Sequence, residues 1–286
     1  MADWFRKNWK GLMAWCFALL PVCFATVILP RMTQARSDRS PEIVILGDSI
    51  FAQHLDGESI AEMLSKKLGR EICDASLGGT SMARIDGRRY MDHTMDLLSM
   101  AALSKAVCSE DFAPQQQVNI RFAATEYFGE VIDQLDRTDF DGVRTLIIGY
   151  GVNDYQNGIP LENPEDLLDE YTYGGALRVA LSAVTERFPQ MRIIVVTPVY
   201  TWYPEKGLSC GEYDAGGGVL EAYVQETGKI AGQYGVELID IYHDVYGINP
   251  KDPEDWKRFT HDGVHPNEEA RRRISDKIAD YLEEHL

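Results

Sequence analysis

The feature that most limits the fold of this chain is an alternation. From residue 42 to the C-terminus, short apolar runs take turns with longer amphipathic ones. Val143-Arg144-Thr145-Leu146-Ile147-Ile148 and Arg192-Ile193-Ile194-Val195-Val196 are nearly continuous β-branched runs, as expected of strands covered on both faces. Glu42 to Leu46, Ile72 to Leu77 and Val236 to Asp240 are further strand candidates. Helical patterns fill the gaps: Leu55 to Leu68, Leu167 to Phe188, Val219 to Tyr234 and Asn267 to Leu286. This rotation implies an α/β fold, a doubly wound five-stranded parallel sheet with right-handed crossovers.

Two segments break the rhythm. Arg88 to Arg137 is too long for one crossover helix and reads as two or three helices, with a turn near Phe112-Ala113-Pro114. Tyr200 to Gly218 is rich in aromatics and glycine. No internal repeat or interdomain linker is visible, so 42–286 reads as one domain.

The N-terminus reads differently. Arg6, Lys7 and Lys10 precede an uncharged run, Gly11 to Leu29, that ends at Pro30-Arg31. Its length is near the threshold for spanning a bilayer and long for a signal-peptide core. Residues 1–31 therefore read as a signal-anchor helix or a cleaved signal peptide, and 32–41 as a polar, basic tether. Basic residues flank the run on both sides, so charge bias leaves its orientation open. Either reading puts the domain outside the cytoplasm, anchored or secreted, with the N-terminal helix as its membrane contact.

A net charge of -17 argues against a nucleic-acid partner, because phosphate binding needs clustered Lys and Arg. The five cysteines form no framework. Cys16 and Cys23 lie in the apolar run, Cys73 sits in a strand candidate, and Cys108 and Cys210 are able to pair only if folding brings them together. No Cys or His cluster has metal-ligand spacing, and no cofactor motif is present.

Three short pieces carry chemistry. Ser49 follows a strand candidate through Gly47 and Asp48, which puts it at the carboxyl end of a strand, where open α/β sheets bind ligands. The plainer alternative is a helix cap. Asn153, in Gly151-Val152-Asn153-Asp154, follows the third strand candidate in the same way, and its amide can donate to a developing oxyanion; the alternative is an Asx turn. Asp262 and His265 precede Pro266 and a helical run. That spacing lets a carboxylate meet the near ring nitrogen and leaves the far one free to take a serine proton. The other histidines, His54, His93, His243, His261 and His285, lack this context, and His261 is the one competitor. The stretch Asp74-Ala75-Ser76-Leu77-Gly78-Gly79-Thr80-Ser81 ends the second strand in a glycine-rich turn able to aim an N–H into the crevice.

The order Gly-Asp-Ser, Gly, Gly-x-Asn-Asp, Asp-x-x-His resembles the SGNH (GDSL-type) hydrolase family, from about Ile43 to the C-terminus, on a flavodoxin-like sheet. The first motif here reads Gly-Asp-Ser-Ile. The resemblance implies a carboxylic ester hydrolase with Ser49 as nucleophile, His265 as base and Asp262 as its orienting acid. It implies an oxyanion hole built from Ser49, Gly79 and Asn153, with Gly78 adjacent to the glycine position. No cofactor is required.

Substrate is left wider. The family spans lipases and lysophospholipases, thioesterases, carbohydrate O-acetyl esterases and acyltransferases. An extracytoplasmic domain would meet glycans, and Tyr200, Trp202 and Tyr203 either stack on sugar rings or pack their loop down. These three and Asp154 are the candidate substrate contacts. O-Deacetylation of an extracellular or cell-envelope carbohydrate is the expectation; a non-catalytic glycan-binding surface protein is the alternative from another class.

Overall fold

The computed structural model describes residues 40–52, 57–85, 93–118, 126–249 and 252–285. These residues belong to one compact unit, Ser40–Leu286; the expected signal-anchor helix and most of the tether, within Met1–Arg39, lie outside the described residues. Among the described residues no helix is long and apolar enough to cross a membrane.

Five parallel strands form the central sheet: β1 (Ile43–Gly47), β2 (Ile72–Asp74), β3 (Thr145–Gly149), β4 (Arg192–Val196) and, at the far edge, β7 (Glu237–Ile239), in the order β2-β1-β3-β4-β7. A two-stranded antiparallel hairpin, β5 (Trp202–Tyr203) with β6 (Leu208–Ser209), stands apart from it. The helices are α1 (Ser49–Ala52), α2 (Ile60–Leu68), α3 (Met100–Ser109), α4 (Ala113–Gln116), α5 (Phe128–Arg137), α6 (Val152–Gln156), α7 (Tyr173–Arg187), α8 (Leu220–Tyr234) and α9 (Glu268–Glu284).

The period-two geometry of the strands divides the core into two layers. Val44, Leu46, Leu146, Ile148, Ile193 and Val195 face α3, α5, α7 and α8. Ile43, Ile45, Ile147, Ile194 and Val196 face α2 and α9, where Ile60 and Leu64 meet Ile274, Ile278 and Leu282 at helical spacing. Each such side chain, fully buried, contributes about 1.5–3 kcal/mol of transfer free energy. Arg192 pins the edge strand through two bonds to Glu237, at 2.7 and 2.6 Å.

The segment between β2 and β3 holds a 3₁₀ turn (His93–Leu98) and helices α3, α4 and α5; Pro114 falls within the first turn of α4 rather than in a bend. Helix α7 starts later than the apolar pattern suggests. Asp166 and Asp169 close tight turns onto Leu168 N–H and Tyr171 N–H, and Thr172 caps the helix at Gly175 N–H. Cys73, Cys108 and Cys210 are free thiols, so the Cys108–Cys210 pair does not form; Cys210 is buried beside the Tyr242 hydroxyl.

Candidate active site

Strands β1 and β3 end side by side on paired glycines, Gly47 opposite Gly149. Both must lack a side chain. A Cβ on Gly47 would lie 2.9 Å from the Phe51 ring, and one on Gly149 would lie 2.2 Å from it. The ring of α1 thus seals the sheet end and fixes how the chain turns out of β1. The order β2-β1-β3 makes this the switch point of the sheet, where a crevice opens.

Ser49 is the first residue of α1 and is 5 % exposed. Its Oγ lies 3.1 Å from Nε2 of His265. Nδ1 of His265 lies 2.6 Å from Oδ2 of Asp262, and Oδ1 of Asp262 accepts the N–H groups of Val264 (2.9 Å) and His265 (2.8 Å). Burial pulls the Asp262 carboxyl up, but the His265 backbone N–H and imidazole outweigh it and hold the group below its ordinary range. Asp262 is therefore an anion facing Nδ1, which selects the tautomer with its proton on Nδ1 and a lone pair on Nε2.

The loop that carries this pair is braced from two sides. Gly263 sits at φ 96°, and its carbonyl accepts Trp202 N–H at 2.7 Å. On the other side, the buried guanidinium of Arg271 in α9 donates through Nη1 to Pro266 O and through Nε to Glu58 O, both at 2.8 Å. The sequence marks Arg271 as one more surface charge on an acidic-basic helix, and only its burial reveals the brace.

Asn153 lies in α6, just beyond β3. One N–H of its amide donates to Thr80 O at 2.8 Å, and the other is left for a ligand. Gly79 stands at φ 77° in the turn after β2. Among the described residues neither Ser49 N–H nor Gly79 N–H meets an acceptor. Thr80 O thus ties the Asn153 amide to the turn that carries Gly79.

Asp154 is a correction. It was a candidate substrate contact, yet it is fully buried and accepts Met82 N–H (2.8 Å) and Ala83 N–H (2.9 Å), which ties α6 to the glycine turn. Asp48, which the sequence presents only as part of the Gly-Asp-Ser motif, is its counterpart: it is buried and accepts Ile50 N–H at 2.9 Å. Burial pushes Asp48 up to about 7 and Asp154 up to about 6, and the Asp154 carboxylate raises Asp48 further.

The aromatic loop is a second correction. Trp202 and Tyr203 are 8 % and 7 % exposed. Trp202 stacks on Tyr246, which stacks on Phe259, and the Tyr203 hydroxyl accepts Gln156 Nε2 at 3.3 Å. A hairpin with two-residue strands has too little backbone pairing to hold itself, so its rings go inward. Tyr200 stays partly exposed, edge-on to Trp202.

His243 is a third. The sequence sets it apart from the Asp262–His265 context, yet Asp240-Ile241-Tyr242-His243 repeats the spacing, and Asp240 Oδ2 lies 2.7 Å from His243 Nδ1. Its Nε2 faces Glu221 at 3.9 Å rather than a serine. His261 contributes a backbone N–H to His265 O at 2.9 Å. Among the described residues no group of His, Cys, Asp and Glu could hold a metal ion.

Solved structures resemble the chain in fold. It is 20 % identical to a Lactobacillus plantarum protein (TM-score 0.60), covering 87 % of this chain and 100 % of that one. It is 16 % identical to a possible lipase from Chitinophaga pinensis (TM-score 0.55; 85 % and 98 % covered). It is also 16 % identical to an acetyl xylan esterase (TM-score 0.53; 84 % and 99 % covered). No curated protein matches its sequence. The profile of the GDSL-like lipase/acylhydrolase family matches residues 45–273, which spans both the Ser49 turn and the His265 loop, and the chain belongs to that family.

Proposed function

We propose that this acylhydrolase is a serine esterase that removes acetyl groups from an extracellular or cell-envelope carbohydrate. The observation that carries the chemistry is the continuous chain Ser49 Oγ, His265 Nε2, His265 Nδ1, Asp262 Oδ2, at 3.1 and 2.6 Å. Ser49 Oγ attacks the ester carbonyl while His265 Nε2 takes its proton. The oxyanion accepts from Ser49 N–H, Gly79 N–H and the free N–H of Asn153, which stabilise the charge as it develops. His265 then returns the proton to the leaving alkoxide, which departs as the carbohydrate hydroxyl. Water repeats the cycle on the acyl-Ser49 ester and releases acetate.

Two features support a short acyl group on a glycan. The fold neighbours include an acetyl xylan esterase. Among the described residues the large exposed hydrophobic side chains are Leu167, Leu168, Tyr171 and Leu208, which is little surface for a long acyl tail. The basic-then-apolar N-terminus supports a location outside the cytoplasm, anchored or secreted, with that segment as the membrane contact. The test is acetate release from O-acetylated xylan and other acetylated glycans, beside aryl esters of increasing chain length. The reading expects glycan acetate release and a preference for acetyl esters. A preference for long acyl chains, or for thioesters, overturns it.

A further inference from the structure

Two adjacent glycines follow β2, and either could offer its N–H to the oxyanion. The strand side of this turn is fixed: Leu77 N–H donates to Gly47 O at 2.9 Å. The far side is fixed as well, since Thr80 O accepts Asn153 Nδ2, Thr80 Oγ1 donates to Leu77 O at 2.6 Å, and Met82 and Ala83 donate to Asp154. Thr80 N–H also donates to Leu77 O at 3.3 Å and closes the turn, so the plane left to rotate is the peptide between Gly78 and Gly79, where no Cβ restricts it. The peptide before it, whose Leu77 O carries the Thr80 bonds, is held on its N–H side too: Gly78 N–H donates to the Tyr127 hydroxyl at 2.7 Å.

Tyr127 comes from the long segment between β2 and β3. It occupies the N-cap position of α5 but makes no side-chain cap of its own helix. Its ring stands edge-on to the buried Phe128, with centroids 4.9 Å apart at 85°. The hydroxyl therefore has a fixed address and serves the neighbouring turn. Burial raises its pKa, so it remains a neutral hydroxyl, able to accept, through the neutral range.

We propose that Tyr127 is a positioning residue that occupies Gly78 N–H and so sets Gly79 N–H as the backbone donor to the oxyanion. The inference rests on the esterase reading above and goes beyond it, since it assigns a role in the oxyanion hole to a residue outside the motifs. Gly79, at φ 77° with open space where a Cβ would be, then presents the remaining N–H.

The test is Tyr127→Phe, which keeps the ring and deletes the acceptor. An oxyanion donor is worth about 10²–10³ in kcat, and a donor whose neighbouring N–H is unanchored and competes for the oxyanion loses part of that, so kcat on an aryl acetate should fall about 10- to 100-fold with KM changed less than about twofold. Amide hydrogen exchange at Gly78 should accelerate in the same variant. Tyr127→Leu, which removes the ring too, should lower the melting temperature further without a comparable further loss in kcat. Wild-type kcat in Tyr127→Phe, a loss confined to KM, or unchanged exchange at Gly78 each overturn the proposal. Fluorophosphonate labelling of wild-type Ser49 separates the two levels: a labelled, active wild type with an indifferent Tyr127→Phe refutes only this inference, whereas a wild type that neither labels nor turns over ester refutes the esterase reading and the inference with it.

Discussion

Asp262→Asn should damage the enzyme more than Asp262→Ala. In the wild type Oδ1 of Asp262 accepts two backbone N–H groups, from Val264 and His265, and Oδ2 faces His265 Nδ1 at 2.6 Å. An asparagine keeps the first two bonds by placing its carbonyl oxygen on them. That choice aims its NH₂ at Nδ1 and selects the tautomer with the proton on Nε2, which then donates to Ser49 Oγ and cannot accept from it. Loss of the correct tautomer costs about 10⁴ in kcat, or about 5.5 kcal/mol in barrier. An alanine imposes no tautomer. The Asp262 side chain is 53 % exposed, so water can replace it beside Nδ1. Its loss is then the charge-assisted bond, about 1.5–3 kcal/mol, or about 10- to 10²-fold in rate. Steady-state kinetics on an aryl acetate at neutral pH, with thermal melts as folding controls, give the order directly. Asn equal to or better than Ala, with both variants folded, would refute the tautomer argument.

Gly263→Ala would put a Cβ at φ 96° only 2.5 Å from Trp202 O, so a melting experiment should show a loss of about 1–3 kcal/mol, and kcat should fall because the strain lies between Asp262 and His265. Trp202→Phe should cost about 1–2 kcal/mol of stability and leave KM for an acetylated glycan unchanged, since the ring packs on Tyr246; a higher KM with an unchanged melt would restore the sugar-stacking reading. Asp48, raised to about 7, binds a proton in the folded state at pH values where the unfolded chain has lost it. Folding stability should therefore rise as pH falls from 8 to 6, by on the order of 1 kcal/mol, and a flat or opposite trend in denaturant unfolding would contradict the buried carboxyl pair.

What the sequence made legible follows from how local each signal is. Arg192–Val196 was placed to the residue because a strand buried on both faces writes itself as an unbroken apolar run. Ser49, Asn153, Asp262 and His265 each stand at the end of a strand or the start of a helix, so their spacing survives in one dimension. Leu167 and Leu168 look like the first turn of α7, yet they are exposed, because the Asp166 and Asp169 turns hold the backbone first. The Asp240–His243 pair shows that Asp-x-x-His builds the same turn twice, and only the sheet topology decides which imidazole meets a serine. The inward aromatics, the buried Arg271 and the Tyr127 hydroxyl depend on partners distant in sequence, which no window on the chain reveals.

A fluorophosphonate reacts with a serine only when a base has activated it, so labelling followed by peptide mass spectrometry reads the Ser49–His265 coupling itself. The account predicts one phosphonylated peptide, carrying Ser49, in the wild type, and none in a folded His265→Ala variant over the same time. Label on another residue, or equal labelling of Ser49 without the His265 imidazole, would contradict it.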